Sequence, residues 1–247
     1  MKIYADYHTH TIHSHGKGTV LENVAKANAL GLEEIAISDH GPAHLFGVGI
    51  RNIQVLDQIR KEISASMQVY PSVKVKLGIE ANVTSITGDI DVTPEYIDKL
   101  DILQVGLHLM VRPERWLDGI NRTVAHFLRG LSPNLKRRSR LLNTEAIINA
   151  VYKYNIDIIT HPGHRLVIDT RELSRACAAR GTAMEINTSH QNMILELIEI
   201  AANEGVKFVI GSDAHHPDRV GNFARGIALA KAAGLTANQI LNARPES

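Results

Sequence analysis

Short apolar runs alternate along the chain with longer segments whose apolar residues recur at helical spacing. The short runs predict buried strands, because polar or glycine-containing breaks bound them. These predicted strands are Ile3–Tyr7, Ile35–Asp39, Val75–Ile79, Ile102–Leu107, Ile156–Thr160, Ala183–Asn187 and Phe208–Ser212. The longer amphipathic segments predict helices, each closed by glycine, asparagine or a polar break. These predicted helices are Val20–Leu30, Ile50–Gln68, Thr144–Tyr154, Thr170–Arg180, Met193–Asn203 and Phe223–Ala233.

The order of these elements predicts the fold class. Most neighbouring strands are separated by enough chain for a crossover, so the pattern favours an α/β fold in which a parallel sheet closes into a barrel. The chain has 247 residues and is 44% hydrophobic, which is enough to bury one sizeable core. We therefore expect one domain spanning residues 1–247, without internal repeats or an interdomain linker.

Side chains of the types that bind metals follow most of the predicted strands. They are His8, His10, His40, Glu80, His108, His161, Asp213 and His215. In α/β proteins the C-terminal ends of parallel strands share one face of the sheet or barrel. Residues far apart in the sequence therefore converge, and the pattern predicts a site for several metal ions.

His8 and His10 add a geometric argument. Residues two apart in a strand point to the same face, so both imidazoles can bind one ion. A lone His-x-His pair is only moderately specific, but further motifs accompany this one in the same order. They are Ser38-Asp39-His40-Gly41, Gly78-Ile79-Glu80, Thr160-His161-Pro162-Gly163 and Gly211-Ser212-Asp213-Ala214-His215. Within the second strand, Asp39 alternates in direction with His40, which favours a structural role for Asp39.

Composition narrows the choice of metal and of cellular environment. Cys177 is the only cysteine, which excludes an internal disulfide and a thiolate-rich structural zinc site. Imidazole and carboxylate donors suit zinc, with manganese or iron as alternatives. The N-terminus lacks an apolar signal-peptide core, and no run approaches the ~20 apolar residues of a membrane span. We expect a soluble cytoplasmic protein without a membrane partner.

The ordered motifs resemble those of the PHP superfamily, named after polymerase and histidinol phosphatase, over nearly the whole chain. The layout is most similar to the stand-alone PHP phosphatases. The resemblance implies a distorted, TIM-like (β/α)7 barrel with three metal ions at the C-terminal ends of its strands. It also implies that one ion binds His8, His10, Glu80 and Asp213, a second binds His15, His40 and His215, and a third binds His108 and His161 with Glu80 as a bridge.

Further candidates lie in the loops beside these motifs. The segment after His10 offers two imidazoles, His13 and His15; the resemblance favours His15 as the ligand, with His13 as the alternative. Lys17 lies in a glycine-containing stretch that lacks the Walker pattern, so it is either a phosphate contact or an ordinary surface lysine. His164 and Arg165 follow Pro162-Gly163, and they are either rim contacts for substrate or plain loop residues.

This ligand set predicts a phosphoesterase. Three divalent ions with only Glu80 and Asp213 as carboxylate ligands leave a positively charged pocket that holds a phosphate. Metal ions ~3.5–4 Å apart can bridge a hydroxide, lower its pKa toward ~7, and stabilise the attacking and leaving oxygens. We expect a phosphomonoesterase that uses such a hydroxide, and no catalytic side chain beyond it, to hydrolyse a small phosphorylated substrate.

Other functions stay open as alternatives. Within the same fold, the chain could be a histidinol-phosphate phosphatase or a nuclease-like phosphodiesterase. Outside enzymes, the alternative is a metal-binding regulatory module, which the apparently complete ligand set argues against. A Ser-His-Asp hydrolase lacks support, because the chain has no Gly-x-Ser-x-Gly elbow. A homo-oligomer is compatible with the sequence.

Positive charge is concentrated in a basic segment between Met110 and Leu141. Its cations are Arg112, Arg115, Arg122, Arg129, Lys136, Arg137, Arg138 and Arg140, opposed by Glu114 and Asp118. Pro113, Gly119, Gly130 and Pro133 predict that no long helix crosses it, so we expect an excursion with a short helix around Thr123–Leu128. It is either a solvated loop or a lid that recruits anionic substrate through Arg137, Arg138 and Arg140. A nucleic-acid surface is the least supported interpretation.

Overall fold

The computed structural model describes residues 1–114, 126–190 and 194–246. Its strands are β1 (Lys2–Ile3), β2 (Ala5–Thr9), β3 (Glu34–Ile37), β4 (Lys74–Asn82), β5 (Ile102–Gly106), β6 (Ile158–Ile159), β7 (Ala183–Asn187), β8 (Phe208–Gly211) and β9 (Ala243–Arg244). Its α-helices are α1 (Val20–Ala29), α2 (Val55–Val69), α3 (Pro94–Ile97), α4 (Pro133–Lys153), α5 (Thr170–Arg180), α6 (Leu195–Asn203) and α7 (Ala224–Ala232).

Strands β2 to β8 form a parallel sheet in which each strand pairs with the next one along the chain. The sheet nearly closes, because the chain after β8 bonds back to the end of β2. His10 N donates to Ala214 O at 2.8 Å, and Ala214 N donates to His8 O at 3.2 Å. The predicted (β/α)7 barrel is therefore confirmed, and the C-terminal ends of the seven strands share one rim.

Local sequence explains where the crossover helices lie. On α2 the buried residues Leu56, Ile59 and Ile63 recur at helical spacing, so this helix packs one apolar stripe against the sheet. Helix α5 begins after Asp169, whose carboxylate accepts the Glu172 amide at 3.3 Å. No helix in the described part of the chain is long and apolar enough to cross a membrane.

Six of the seven predicted strands differ from the structure at their edges, including the first and the third. The run predicted as Ile3–Tyr7 is split, because Lys2 and Ile3 leave the barrel and pair antiparallel with Arg244 and Ala243. Strand β4 is longer than predicted, so Glu80 lies inside the strand rather than after it. Glu80 pairs with Gln104 on β5 and forms an isolated bridge with His40, which follows β3, so the Glu80 backbone is fixed within the sheet.

The prediction that no long helix enters the basic segment is wrong for its last part. Helix α4 begins at Pro133 and runs for 21 residues, so Arg137, Arg138 and Arg140 lie on a helix rather than on a lid loop. Proline is tolerated in the first helical turn because its missing N–H has no partner there in any case. Ser132 caps the same end by accepting the Leu135 amide at 3.3 Å. Residues 115–125, where the predicted short helix begins, and Met193 lie outside the described residues.

Candidate metal centre

Glu80 lies at the centre of the predicted ligand set and is fully buried. Its two carboxylate oxygens face different histidines. Oε1 lies 2.8 Å from His161 Nε2 and 3.2 Å from His108 Nε2. Oε2 lies 2.7 Å from His40 Nδ1 and 3.4 Å from His8 Nε2. One carboxylate therefore contacts two groups of imidazoles, which is the arrangement of a bridging ligand.

Asp213, two residues after the end of β8, provides the second buried carboxylate. Its Oδ1 lies 3.2 Å from His10 Nε2, 3.5 Å from His8 Nε2 and 3.4 Å from His215 Nδ1. His8 thus lies between Glu80 and Asp213. The two carboxylates and the strand-end histidines consequently form one continuous cluster.

The structure distinguishes the two imidazoles that follow His10. The His15 ring lies 5.0 Å from the His40 ring and 4.2 Å from the His215 ring, centroid to centroid. The His13 ring turns away, and its Nε2 lies 2.9 Å from Glu62 Oε2. His15 rather than His13 is therefore part of the cluster.

Several buried atoms of the cluster make no hydrogen bond. They are His8 Nε2, His10 Nδ1, His10 Nε2, His40 Nδ1 and Glu80 Oε2. The close approach of His40 Nδ1 to Glu80 Oε2 does not have hydrogen-bond geometry, so it does not satisfy either atom. An unsatisfied buried polar group costs about 1–3 kcal/mol, and divalent cations would satisfy Glu80 Oε2 and one nitrogen of each of these imidazoles. The residues present therefore fit a metal centre.

The donors also group in sets of the size that one ion needs. In each set the three ligand atoms lie within 4.8 Å of one another. Within the described residues the sets are His8–His10–Asp213, His8–Glu80–His161, His40–Glu80–His108, His10–His40–His215 and His161–His190–Asp213. Glu80 and Asp213 each recur in two sets, so a carboxylate could bridge neighbouring ions, whereas each recurring histidine would bind only one.

The electrostatics of the cluster keep Glu80 ionised and His10 neutral, which are the states that bind a metal ion. Burial raises the pKa of Glu80, but the imidazoles of His40 and His8 outweigh it and hold that pKa well below its usual range. Burial lowers the pKa of His10 to about 3. Burial also lowers the pKa of His8, but Glu185 and the cluster carboxylates raise it well above the usual value. A divalent cation among these groups would take the place of that proton.

Residues around the ligands orient them. Glu185 Oε1 lies 2.7 Å from His8 Nδ1, and its Oε2 accepts the His161 backbone amide at 2.7 Å. Such a partner fixes the tautomer and direction of a metal-binding imidazole. Asp39 accepts the Thr11 amide at 2.7 Å and the Thr11 hydroxyl at 2.6 Å. Asp39 thus shapes the loop that carries His15 instead of joining the cluster.

Asn82 is an orienting residue that sequence reasoning missed. Its Oδ1 lies 2.7 Å from His108 Nδ1, and its amide donates to Asp91 Oδ2 at 2.6 Å. Asn82 lies two residues after Glu80 on β4, and residues two apart share a face of the sheet. That spacing is the signal that could have identified it.

Close packing and unusual backbone conformations accompany the cluster. His161 and Asp213 both have positive φ angles, 25° and 51°, a conformation that is uncommon for side chains of this kind. Glycine is required at Gly211, because a Cβ there would lie 2.0 Å from Glu185 Oε1. The absence of a side chain at Gly211 thus allows Glu185 to lie against the end of β8.

A cavity of about 530 Å³ opens onto the cluster. Its apolar wall consists of Leu45, Phe46, Val48, Leu107, Leu109 and Met110, and its lining also includes His164, Arg165 and His190. His190 is a further residue of the centre that sequence reasoning did not select. His164 and Arg165 also line this cavity, and their contact with a substrate stays a prediction.

Four of the predicted substrate contacts lie elsewhere. Lys17, Arg137, Arg138 and Arg140 are exposed and are not among the residues that line the cavity. The backbone of Lys17 nevertheless lies near the cluster, since its amide donates to His215 O at 2.9 Å. The three arginines lie on the first part of α4, so they could influence the site only over a distance.

Comparison with known proteins places the chain among phosphatase-like sequences. The PHP domain matches residues 6–233. A probable phosphatase from Thermoanaerobacter sp. (strain X514) is 33% identical over 98% of this chain and 91% of that protein. A probable phosphatase from Shewanella sediminis (strain HAW-EB3) is 31% identical over 100% of this chain and 92% of that protein.

Solved structures agree with the fold. The histidinol phosphate phosphatase from Lactococcus lactis subsp. lactis Il1403, complexed with zinc, L-histidinol and phosphate, has a TM-score of 0.60 and 17% identity, covering 94% of each chain. A candidate histidinol phosphatase from Listeria monocytogenes has a TM-score of 0.67 and 17% identity, covering 88% of this chain and 97% of that one.

Proposed function

Because the chain belongs to the PHP domain family, we propose that it is a metal-dependent phosphomonoesterase that hydrolyses a small phosphorylated molecule. Its relatives of 31–33% identity are probable phosphatases over almost their whole length. The observation that carries the proposal is the set of unsatisfied buried ligand atoms that converge on Glu80 and Asp213 beneath the cavity.

The residues that would hold the metals are those of the cluster. We propose three ions, zinc first and manganese or iron as alternatives, bound by His8, His10, His15, His40, Glu80, His108, His161, Asp213 and His215. When bound, divalent ions supply charge neutralisation for the phosphate and a nucleophilic water at neutral pH. The chain's own residues orient these ligands and exclude bulk water, because Glu80 and Asp213 are buried.

The apolar and polar residues that line the cavity suggest how a substrate lies. Its phosphate would face the cluster at the floor, with Arg165 and His164 as candidate contacts at the rim. Its organic part would lie along the apolar wall, where Phe46 is 82% exposed. A cavity of about 530 Å³ suits a small monoester. Binding of such a monoester does not require the exposed arginines of α4, which would at most attract anions from a distance.

Metal analysis combined with a substrate panel tests the proposal. Protein purified without chelator should carry between about two and three equivalents of transition metal and hydrolyse p-nitrophenyl phosphate. Removal of metal should abolish turnover, and addition of zinc or manganese should restore it. Fewer than about one equivalent of metal, or no hydrolysis by the reloaded protein, would contradict the proposal.

A histidinol-phosphate phosphatase is the second candidate. The observation in its favour is the shared fold with the Lactococcus lactis enzyme that was solved with L-histidinol and phosphate. Histidinol phosphate, other small monoesters, cyclic nucleotides and single-stranded DNA should be compared on one preparation. A preference of more than about tenfold in kcat/KM for histidinol phosphate would select this candidate, whereas cleavage of DNA alone would select a phosphodiesterase.

A further inference from the structure

His190 contacts the metal cluster from outside the predicted ligand set. It lies three residues beyond the end of β7, and its Nε2 lies 3.0 Å from Asp213 Oδ2. The same oxygen accepts the Asn187 side-chain amide at 3.1 Å. The other oxygen, Oδ1, faces His10 and His215. The two oxygens of Asp213 thus have different partners, nitrogen groups of the β7 end on one side and cluster histidines on the other.

The His190 ring is fixed in this position. Its backbone amide donates to Asn187 Oδ1 at 3.0 Å, and its carbonyl accepts the Arg225 guanidinium. Its ring stacks on the His164 ring, with centroids 3.8 Å apart and an interplanar angle of 16°. Although its side chain is 31% exposed, the backbone contacts and the stacked ring limit the rotamers that it can adopt.

We propose that His190 is a positioning residue of the metal centre, acting through Asp213. This inference rests on the metal centre of the proposed function. Nε2 donates to Asp213 Oδ2 beside the Asn187 amide, and these two bonds turn Oδ1 toward the cluster. A carboxylate that is fixed in this way loses less conformational freedom when it binds an ion, so the ion is held more tightly.

Direct ligation by His190 is the competing possibility, since His161, His190 and Asp213 form a set of three donors. Two contacts argue against it. Asp213 Oδ2 already accepts an amide from Asn187, which is a donor and not a ligand. His161 Nε2 lies 2.8 Å from Glu80 Oε1, so this nitrogen faces Glu80 rather than an ion shared with His190.

Zinc release measured on the zinc-loaded full chain tests the proposal. The variants are His190→Ala, which removes the donor, and His190→Gln, whose amide can donate from nearly the same place. His216→Ala is the control, because His216 is an exposed histidine of another loop. Zinc release is followed with a chromophoric chelator. The His190→Ala variant should release about one equivalent of zinc roughly 10–100 times faster than the parent. His190→Gln should recover most of that difference, and the control should match the parent.

Turnover of p-nitrophenyl phosphate supplies a second measurement. His190→Ala should lower kcat by a factor similar to that for zinc release, with KM changed less than about threefold, because its effect acts through a ligand. Parent-like zinc release by His190→Ala would overturn the proposal. Loss of a whole equivalent by both variants before any chelator is added would also overturn it and would make His190 a ligand. Zinc release needs no substrate, so a slow parent and a fast Ala variant would support the inference even if no ester were hydrolysed.

Discussion

Substitution of Glu80 by glutamine is the most informative perturbation of the centre. Oε1 lies within 3.2 Å of two imidazole nitrogens, and Oε2 lies 2.7 Å from a third. The variant keeps the volume of the side chain but removes its charge, and an amide nitrogen replaces one ligand oxygen. Because the two oxygens contact different groups of histidines, the substitution should weaken the binding of more than one ion.

The size of the effect follows from the burial of Glu80, whose side chain is 0% exposed. Removing one partner from a buried charged arrangement costs about 3–5 kcal/mol. At 1.4 kcal/mol per tenfold change, this corresponds to about two to four powers of ten in affinity. Glu80→Gln should therefore lose more than one equivalent of metal during dialysis and nearly all turnover.

Two matched substitutions make the result specific. Glu185→Gln alters a carboxylate that contacts one predicted ligand side chain, His8, and should cost about 10–100-fold in affinity for one ion. Glu62→Gln alters a half-buried carboxylate paired with His13 and should leave metal content unchanged. Elemental analysis after dialysis is the assay. If Glu80→Gln bound as much metal as the parent and kept most of its activity, the bridging role of Glu80 would be wrong.

Three further predictions concern the surface and the long helix. Ser132→Ala removes the cap of α4, so urea unfolding should show a loss of about 1 kcal/mol in stability. Neutralising the three α4 arginines together should raise KM for a charged ester with a smaller change in kcat, and high salt should erase the difference because exposed charges are screened. If the variant had the KM of the parent at low salt, the three arginines would have no role in attracting the substrate. The Lys153 ammonium and the Ser85 hydroxyl lower the pKa of Asp89 from 3.8 to about 2. The associated stability is thus present above about pH 4 and lost as pH falls toward 2, and Asp89→Asn should flatten that dependence in acid unfolding.

Strand order and strand ends made the barrel and most of the cluster predictable. Once β2, β4 and β8 are parallel, their C-terminal residues must converge, whatever the intervening helices do. The basic segment was harder, because a proline breaks a helix interior but begins a helix equally well. Pro133 occupies the first helical turn, and only the Ser132 cap distinguishes that position in the sequence. The residues of the excursion between 115 and 125 lie outside the described part of the chain.

The orienting residues could not be assigned partners from the sequence alone. Glu185 meets His8 because β7 and β2 lie on nearby parts of a nearly closed barrel, and that contact depends on curvature as well as on strand order. His190 lies beyond the last strand residue, in a loop whose path no periodicity defines. By contrast, Asn82 follows Glu80 by two residues on one strand, so its shared face was available from spacing.

The fold maintains two unfavourable backbone conformations at the site, one at His161 and one at Asp213. Each residue has a positive φ, and such conformations cost of order 1–3 kcal/mol each unless surrounding contacts enforce them. Those contacts are present, since the His161 amide donates to Glu185 and the next residue after Asp213 bonds to His8 O. Glu185 therefore contacts the imidazole ring of His8 and the backbone amide of His161. A single carboxylate on β7 thus couples the geometry of two strand ends, which is why its substitution should affect metal affinity although Glu185 is not among the residues that line the cavity.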